Sequence, residues 1–196
     1  MNVSGARLKY PLACCTLSEK ECKSIMYPAV RAALENAGIA SNISTRARDG
    51  PVTSGGAGIL SLYHYQGTSR IAALIEQVVR KTPTGSQIVM CIEDLVLDTG
   101  LYGRLWDMPF GDYCNYVSTH SWTFAICEYI FDHNIEINCD HATLSPNREG
   151  DRSIMEVVCQ HFERKSDLKA TNRIRQFHGV MQLSDLASAD DRHLNP

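Results

Sequence analysis

Apolar residues recur along this chain at three- and four-residue steps, the period of helices that bury one face. The clearest run lies in residues 65–81, where Ile71, Leu74, Ile75, Val78 and Val79 fall at i, i+3, i+4, i+7 and i+8. Ile88, Cys91, Ile92, Leu95 and Val96 repeat the spacing before Gly100. Thr82-Pro83-Thr84-Gly85 separates the two runs. Together they predict an αα-hairpin, with a capping box from Thr84 to Gln87. Upstream, Ser18-Glu19-Lys20-Glu21 is also a capping box and starts a helix near Glu19. Ile25, Val30 and Leu34 give that helix a patchy apolar face, Pro28 predicts a kink or break, and Gly38 a stop. Residues 39–58 read as a long loop.

Between Ser121 and His133 two stripes alternate: Trp122, Ile126, Tyr129 and Ile130, then Phe124, Cys127 and Phe131. A helix apolar on most sides belongs at the centre of a core. Ile135-Glu136-Ile137 alternates and predicts a short strand. Ile154, Val157, Val158 and Phe162 predict a helix from about Asp151. A last long helix, capped by Ser166, turns Ala170, Ile174, Phe177 and Met181 inward. The pattern as a whole predicts a mainly α fold, a compact helical domain with an αα-hairpin and at most one short strand or hairpin. Residues 1–16 form a loose N-terminal segment, 17–187 a single helical domain with halves 17–100 and 101–187, and 188–196 a tail.

Composition narrows the function classes. With 196 residues, 44% of them apolar, the chain can build a core and is not globally disordered. A net charge of −3 excludes a strongly basic module but leaves room for a local basic patch. No apolar run approaches the roughly 18 residues of a membrane span, and the first ten residues lack a signal-peptide core. The expectation is an intracellular protein, in cytoplasm or nucleus, with no membrane partner. The eight cysteines include no Cys-x-x-Cys pair, so they read as reduced, mostly core thiols.

Candidate chemistry is sparse. There is no Gly-x-Ser-x-Gly elbow, no Gly-Lys-Ser/Thr loop ending and no dinucleotide fingerprint. His133, Cys139, Asp140 and His141 carry zinc-type donors without paired spacing. Asp190-Asp191 lacks the flanking strands of a polymerase metal site and belongs to the tail. No catalytic residue, metal or cofactor is therefore expected. Tyr102, Trp106, Phe110, Tyr113 and Tyr116 suit base stacking or, better, the filling of a helix crevice. Lys165, Lys169 and Arg173 stand at steps of four on one side of the last helix, with Arg175 near its seam. Arg46 and Arg48 lie in the loop. Such cations either neutralise backbone phosphates or form a solvated face. Gly50-Pro51 leading to Gly55-Gly56-Ala57-Gly58 is either a phosphate cradle or a tight connector, and its spacing favours the connector.

Four passages stand in a suggestive order. They are Cys22-Lys23-Ser24-Ile25 with Pro28, Leu34 and Gly38-Ile39, then the glycine loop through Ile59 with Leu62-Tyr63 and Gln66-Gly67. Arg148-Glu149-Gly150-Asp151 with Ile154-Met155 follows, and last come Ser166-Asp167-Leu168, Asn172-Arg173 and Leu183-Ser184-Asp185-Leu186. The set, over about residues 14–194, resembles the region downstream of the reverse transcriptase palm in eukaryotic retrotransposon polyproteins. The loop is similar to the Gly-Gly-Leu-Gly-Ile that follows the thumb in non-LTR reverse transcriptases, with Ala57 in place of leucine. The palm and its carboxylates are missing, so the polymerase reaction does not carry over. The resemblance implies a non-catalytic, thumb- or connection-like role. Its partners would be RNA or an RNA–DNA hybrid, gripped by the backbone through Arg46, Arg48, Lys165, Lys169 and Arg173, and the polymerase part of such a polyprotein. The other class left open is a protein-interaction or relic structural domain without nucleic-acid binding.

Overall fold

A computed structural model describes residues 11–117, 121–138 and 143–187. The chain is mostly helical. In order come α1 (Glu19–Asn36), α2 (Thr45–Asp49), a 3₁₀ turn (Val52–Ser54), α3 (Leu62–Val79), α4 (Pro83–Thr99), α5 (Phe110–Tyr113), α6 (Trp122–Asp132), α7 (Ile154–His161), α8 (Lys165–His178) and α9 (Leu183–Leu186). Among the described residues, β structure is limited to isolated bridges of Tyr102 and Gly103 with Leu144 and of Ser153 with Gln182. Ile135-Glu136-Ile137 is not a strand. The Ile135 amide instead closes the end of α6 by donating to the Ile130 carbonyl at 3.0 Å. No helix among the described residues is long and apolar enough to cross a membrane. The expected tail, 188–196, lies outside the described residues.

The chain divides into two compact units, residues 1–73 and 74–196. The break falls inside α3 and not at 100/101. In the first unit, α1 begins with the predicted box: the Glu21 amide donates to Ser18 Oγ at 3.3 Å, and the Ser18 amide to Glu21 Oε2 at 2.8 Å. It runs unbroken through Pro28 to a Gly38 stop with φ of +68°. Pro28 frees the Ser24 carbonyl, but both residues are exposed, so water replaces the lost donor. Leu12, Cys22 and Leu62 are buried together, with Leu17, Met26, Tyr63 and Tyr65 packed around them. Leu12 belongs to a helical turn at 11–14, so the described end of the supposedly loose segment is packed. Fully buried Gln66 holds Leu17 from both sides, donating to its carbonyl at 2.9 Å and accepting from its amide at 3.2 Å. Arg70 Nε donates to the Cys15 carbonyl at 2.7 Å.

Residues 39–58 hold more structure than a loop. Ser44 caps α2, its hydroxyl accepting from the Ala47 amide at 3.2 Å. The chain then folds back on α2: the amides of Ala57, Gly58 and Ile59 donate to the carbonyls of Ala47 (2.8 Å), Gly50 (2.9 Å) and Arg48 (3.2 Å). A Cβ on Gly56 would stand 2.1 Å from the Gly50 oxygen, so the fold-back admits only glycine there.

In the second unit α4 and α5 both pack against α6, and α7 against α8. Ile92, Leu95 and Val96 of α4 are buried, as are Phe124, Ile126, Cys127, Tyr129 and Ile130 of α6. The central place expected for α6 is therefore correct, although Phe131 remains 49% exposed. The cap of α4 is Thr82, not Thr84. Pro83 takes the first helical position, and the Gly85 amide donates to Thr82 Oγ1 at 2.9 Å. On α3, Leu74 is fully buried, but Ile75 and Val79 are 42% and 72% exposed. Periodicity marks the face a helix could bury, and not how much of it a neighbour covers. α7 starts at Ile154 behind a Ser153 cap, and α8 at Lys165 behind Arg164. Ser166 is thus inside α8 and does not cap it.

The second unit closes at the C-terminus of α4. The last four carbonyls of a helix have no partner within it, and here each finds one. Val96 accepts from the Gly100 amide at 3.0 Å and from Thr99 Oγ1 at 2.8 Å. Leu97 and Asp98 accept from Arg175 Nη2 at 2.7 and 3.0 Å. Thr99 accepts from the Tyr116 hydroxyl at 2.8 Å. Asn172 Nδ2 adds bonds to the Asp98 carbonyl (3.1 Å) and carboxylate (3.0 Å), while its own oxygen accepts from Arg175 Nε at 3.0 Å. Arg175 and Asn172 are each 1% exposed. α8 therefore turns Leu168, Asn172 and Arg175 inward. Three of the four residues expected to point inward do not: Ala170, Ile174 and Phe177 face out, the last two 59% and 84% exposed, while Met181, beyond the end of α8, is half-buried against Arg175.

Removing Arg175 takes the donor from the Leu97 carbonyl, one of two from the Asp98 carbonyl, and those of the buried Asn172 oxygen. Arg175→Met is expected to destabilise the second unit by about 3–5 kcal/mol, and Arg175→Lys, which keeps charge but loses the fork, to recover only part of it. Urea denaturation followed by tryptophan fluorescence measures this, because Trp106 and Trp122 both lie in the second unit. In the first unit, Gly56→Ala is expected to lower hydrogen-exchange protection of the Ala57, Gly58 and Ile59 amides by about 1–3 kcal/mol.

Candidate functional site

The outer side of α8 follows from its inner side. Once Asn172 and Arg175 occupy the seam, the ridge of steps of four through Lys165, Lys169 and Arg173 faces solvent, and all three are exposed. Among the described residues none of the three has an ion-pair partner within 4 Å of its charged nitrogens. Each step rises about 6 Å along the helix, so the three cations span about 12 Å. The next step on the ridge is Phe177. Among the described aromatic contacts its ring meets only that of His178, with centroids 5.1 Å apart and planes at 89°. Ile174 lies beside it. Asp167 is half-buried toward the opposite flank, where Ser166 Oγ donates to its carboxylate at 3.1 Å. The predicted stripe is thus placed on one open surface, and an aromatic side chain extends it.

Arg175 does not belong to that surface. Burial lowers its pKa, while Tyr116 and Asp98 oppose the shift, and guanidinium remains charged at any working pH. It is a structural cation. Its partners also include Met181 Sδ, and Gln176 reaches the Asp98 carboxylate from the same helix. Spacing alone places Arg175 beside the charged stripe. The signal that could have found its true place is Gly100, which ends α4 in the left-handed conformation (φ +62°) and leaves space that the Arg175 guanidinium fills: a Cβ on Gly100 would lie 2.7 Å from Arg175 Cζ.

Arg46 and Arg48 belong to the first unit. Arg46 is exposed, whereas Arg48 is half-buried and held by its neighbour, Nε and Nη2 donating to the two Asp49 oxygens at 2.6 and 2.9 Å. Charge on Arg48 is neutralised in place. The Gly50, Pro51, Gly55, Gly56 and Gly58 loop directs its amides inward. Besides the bonds to α2, Gly55 donates to Val52 at 3.0 Å, Gly56 to Pro51 at 3.0 Å and Gly50 to Arg46 at 2.9 Å. A phosphate cradle needs amides that point outward, so this loop is a connector.

Among the described residues no group of His, Cys, Asp and Glu could hold a metal. His133 Nδ1 lies 2.9 Å from the Tyr129 carbonyl, and Cys139, Asp140 and His141 fall outside the described residues. The aromatic stretch fills space: Tyr113 and Tyr116 are buried, and Phe110 meets Phe124 with centroids 5.0 Å apart. Beside Tyr113 an open depression of about 330 Å³ is lined by Trp106, Pro109, Cys127, Phe131 and Ile135. Burial pushes the Cys127 thiol up to about 12, so it stays protonated and is no nucleophile at neutral pH. Of the described cysteines only Cys22 and Cys127 are buried, fewer core thiols than expected.

Comparison with protein-family models, with curated proteins and with solved structures returns no match. The ridge of α8 is the surface on which a functional reading rests. Because its cations touch nothing that the core needs, replacing Lys165, Lys169 and Arg173 together by alanine is expected to change stability by no more than about 0.5 kcal/mol per site. Urea denaturation of the triple variant checks this.

Proposed function

We propose that this chain is a non-catalytic, retroelement-derived domain that holds nucleic acid by its phosphate backbone. The expected setting is a thumb- or connection-like part beside a polymerase, acting in cytoplasm or nucleus on RNA or an RNA–DNA hybrid. The observation that carries the reading is the exposed row of Lys165, Lys169 and Arg173 on a helix whose other cation is buried. Three evenly spaced cations, without ion-pair partners among the described residues, favour a polyanion with regularly spaced charges over a compact anion. The ordered resemblance to sequences downstream of the palm supports the same class. Contacts of this kind position a strand and carry no base sequence.

A second reading, a protein-interaction domain, draws on Ile174 and Phe177, which leave apolar surface exposed on the same helix. Salt dependence separates the two. Binding of labelled RNA and RNA–DNA duplex is expected to weaken steeply with added salt. Each neutralised phosphate contributes about 0.7–0.9 to the log–log slope, so the triple alanine variant is expected to reduce that slope by about 2 to 3. Absence of binding at low salt would refute the backbone reading and leave the interaction domain.

A further inference from the structure

The fourth position of the α8 ridge sharpens the reading. Lys165, Lys169, Arg173 and Phe177 follow one another at steps of four, and neighbours at that step stand about 5–6 Å apart. Phe177 is 84% exposed, the most exposed of the large apolar side chains among the described residues. A core cannot explain an aromatic residue so placed, because the inward positions of this helix belong to Leu168, Asn172 and Arg175. We propose that Phe177 is a stacking platform for an unpaired base, set at the end of a cationic track that holds the adjoining phosphates. The ligand is therefore a single-stranded nucleic-acid segment. This rests on the backbone-binding reading above and names its ligand class.

Chemistry selects that occupant. In a duplex the base faces are already stacked within the helix, and only an unpaired base offers one to a protein ring. Charge complementarity favours a polyanion over a neutral protein groove. A lipid surface fits poorly, since an interfacial helix buries a broad apolar face, and the exposed apolar side of α8 consists of Ala170, Ile174 and Phe177 beside Ser166 and Arg173. Stacking tolerates any base, in keeping with a holding role that needs no sequence readout.

The test uses the full chain, a fluorescein-labelled oligoadenylate RNA, the same strand annealed into a duplex, and vesicles containing phosphatidylserine. Phe177→Ala is expected to weaken binding of the single strand at least about fivefold while leaving the salt slope and the duplex affinity unchanged. Phe177→Trp is expected to restore it, and its new indole to be quenched when RNA binds. Unchanged urea denaturation of both variants shows that the fold is intact. If wild-type protein binds neither nucleic acid at low salt, the backbone reading itself falls, and this inference with it. If binding shows the expected slope but is indifferent to Phe177→Ala, or if duplex is bound as tightly as the single strand, the stacking platform is overturned and the backbone reading stands. Vesicle binding that depends on Phe177, with RNA binding that does not, also overturns it and assigns the ridge to a membrane surface.

Discussion

The carbonyl end of α4 is the constraint around which the second unit is arranged. Four backbone oxygens end the helix there, three of them on buried residues, and the negative end of the helix dipole adds to their demand for donors. A guanidinium suits the place because it offers several planar donors and a charge of the right sign. Arg175 reaches two carbonyls at once, Asn172 orients it and bonds a third group, and the Tyr116 hydroxyl takes the last carbonyl. Burial pushes the Tyr116 pKa up, which keeps its proton available for Thr99. The buried charge is tolerated because hydrogen bonds and the helix dipole compensate its desolvation.

That arrangement sets the surface as well. α8 is a helix whose seam is polar and whose outer side is partly apolar, the reverse of the usual division. Had Ile174 and Phe177 packed inward, the α4 carbonyls would have met hydrocarbon. The interior requirement and the exterior ridge are thus one fact viewed from two sides. A similar trade occurs in the first unit, where the backbone of 15–17 is held by Gln66 and Arg70 of α3.

How much of this is legible in the chain follows from which interactions are local. The Ser18 box and the Gly38 and Gly100 stops are short-range hydrogen-bond patterns, and the chain displays them openly. The cap of α4 lies two residues before the expected one because Thr84-x-x-Gln87 mimics the pattern, while Pro83 decides the start. α1 does not break at Pro28 because that residue faces water. The inward face of α8 escapes the pattern for a deeper reason. Hydrophobic spacing assumes that burial follows apolarity, and Asn172 and Arg175 are buried by what they bond to, some 75 positions earlier. The cationic row is visible from spacing alone. Its extension by Phe177 is hidden, since apolar periodicity assigns that ring to the core.

One consequence concerns the order in which the molecule can be finished. The donors that α8 supplies to α4 are separated from it by 74 to 78 positions. During synthesis α4 leaves the ribosome long before α8 exists, and its open end must wait, hydrated, for a partner still to be translated. Closure of so large a loop is slow compared with the winding of any single helix. The second unit should therefore gain its helices early and its fixed interior late, with the arrival of Arg175 as the step that locks it.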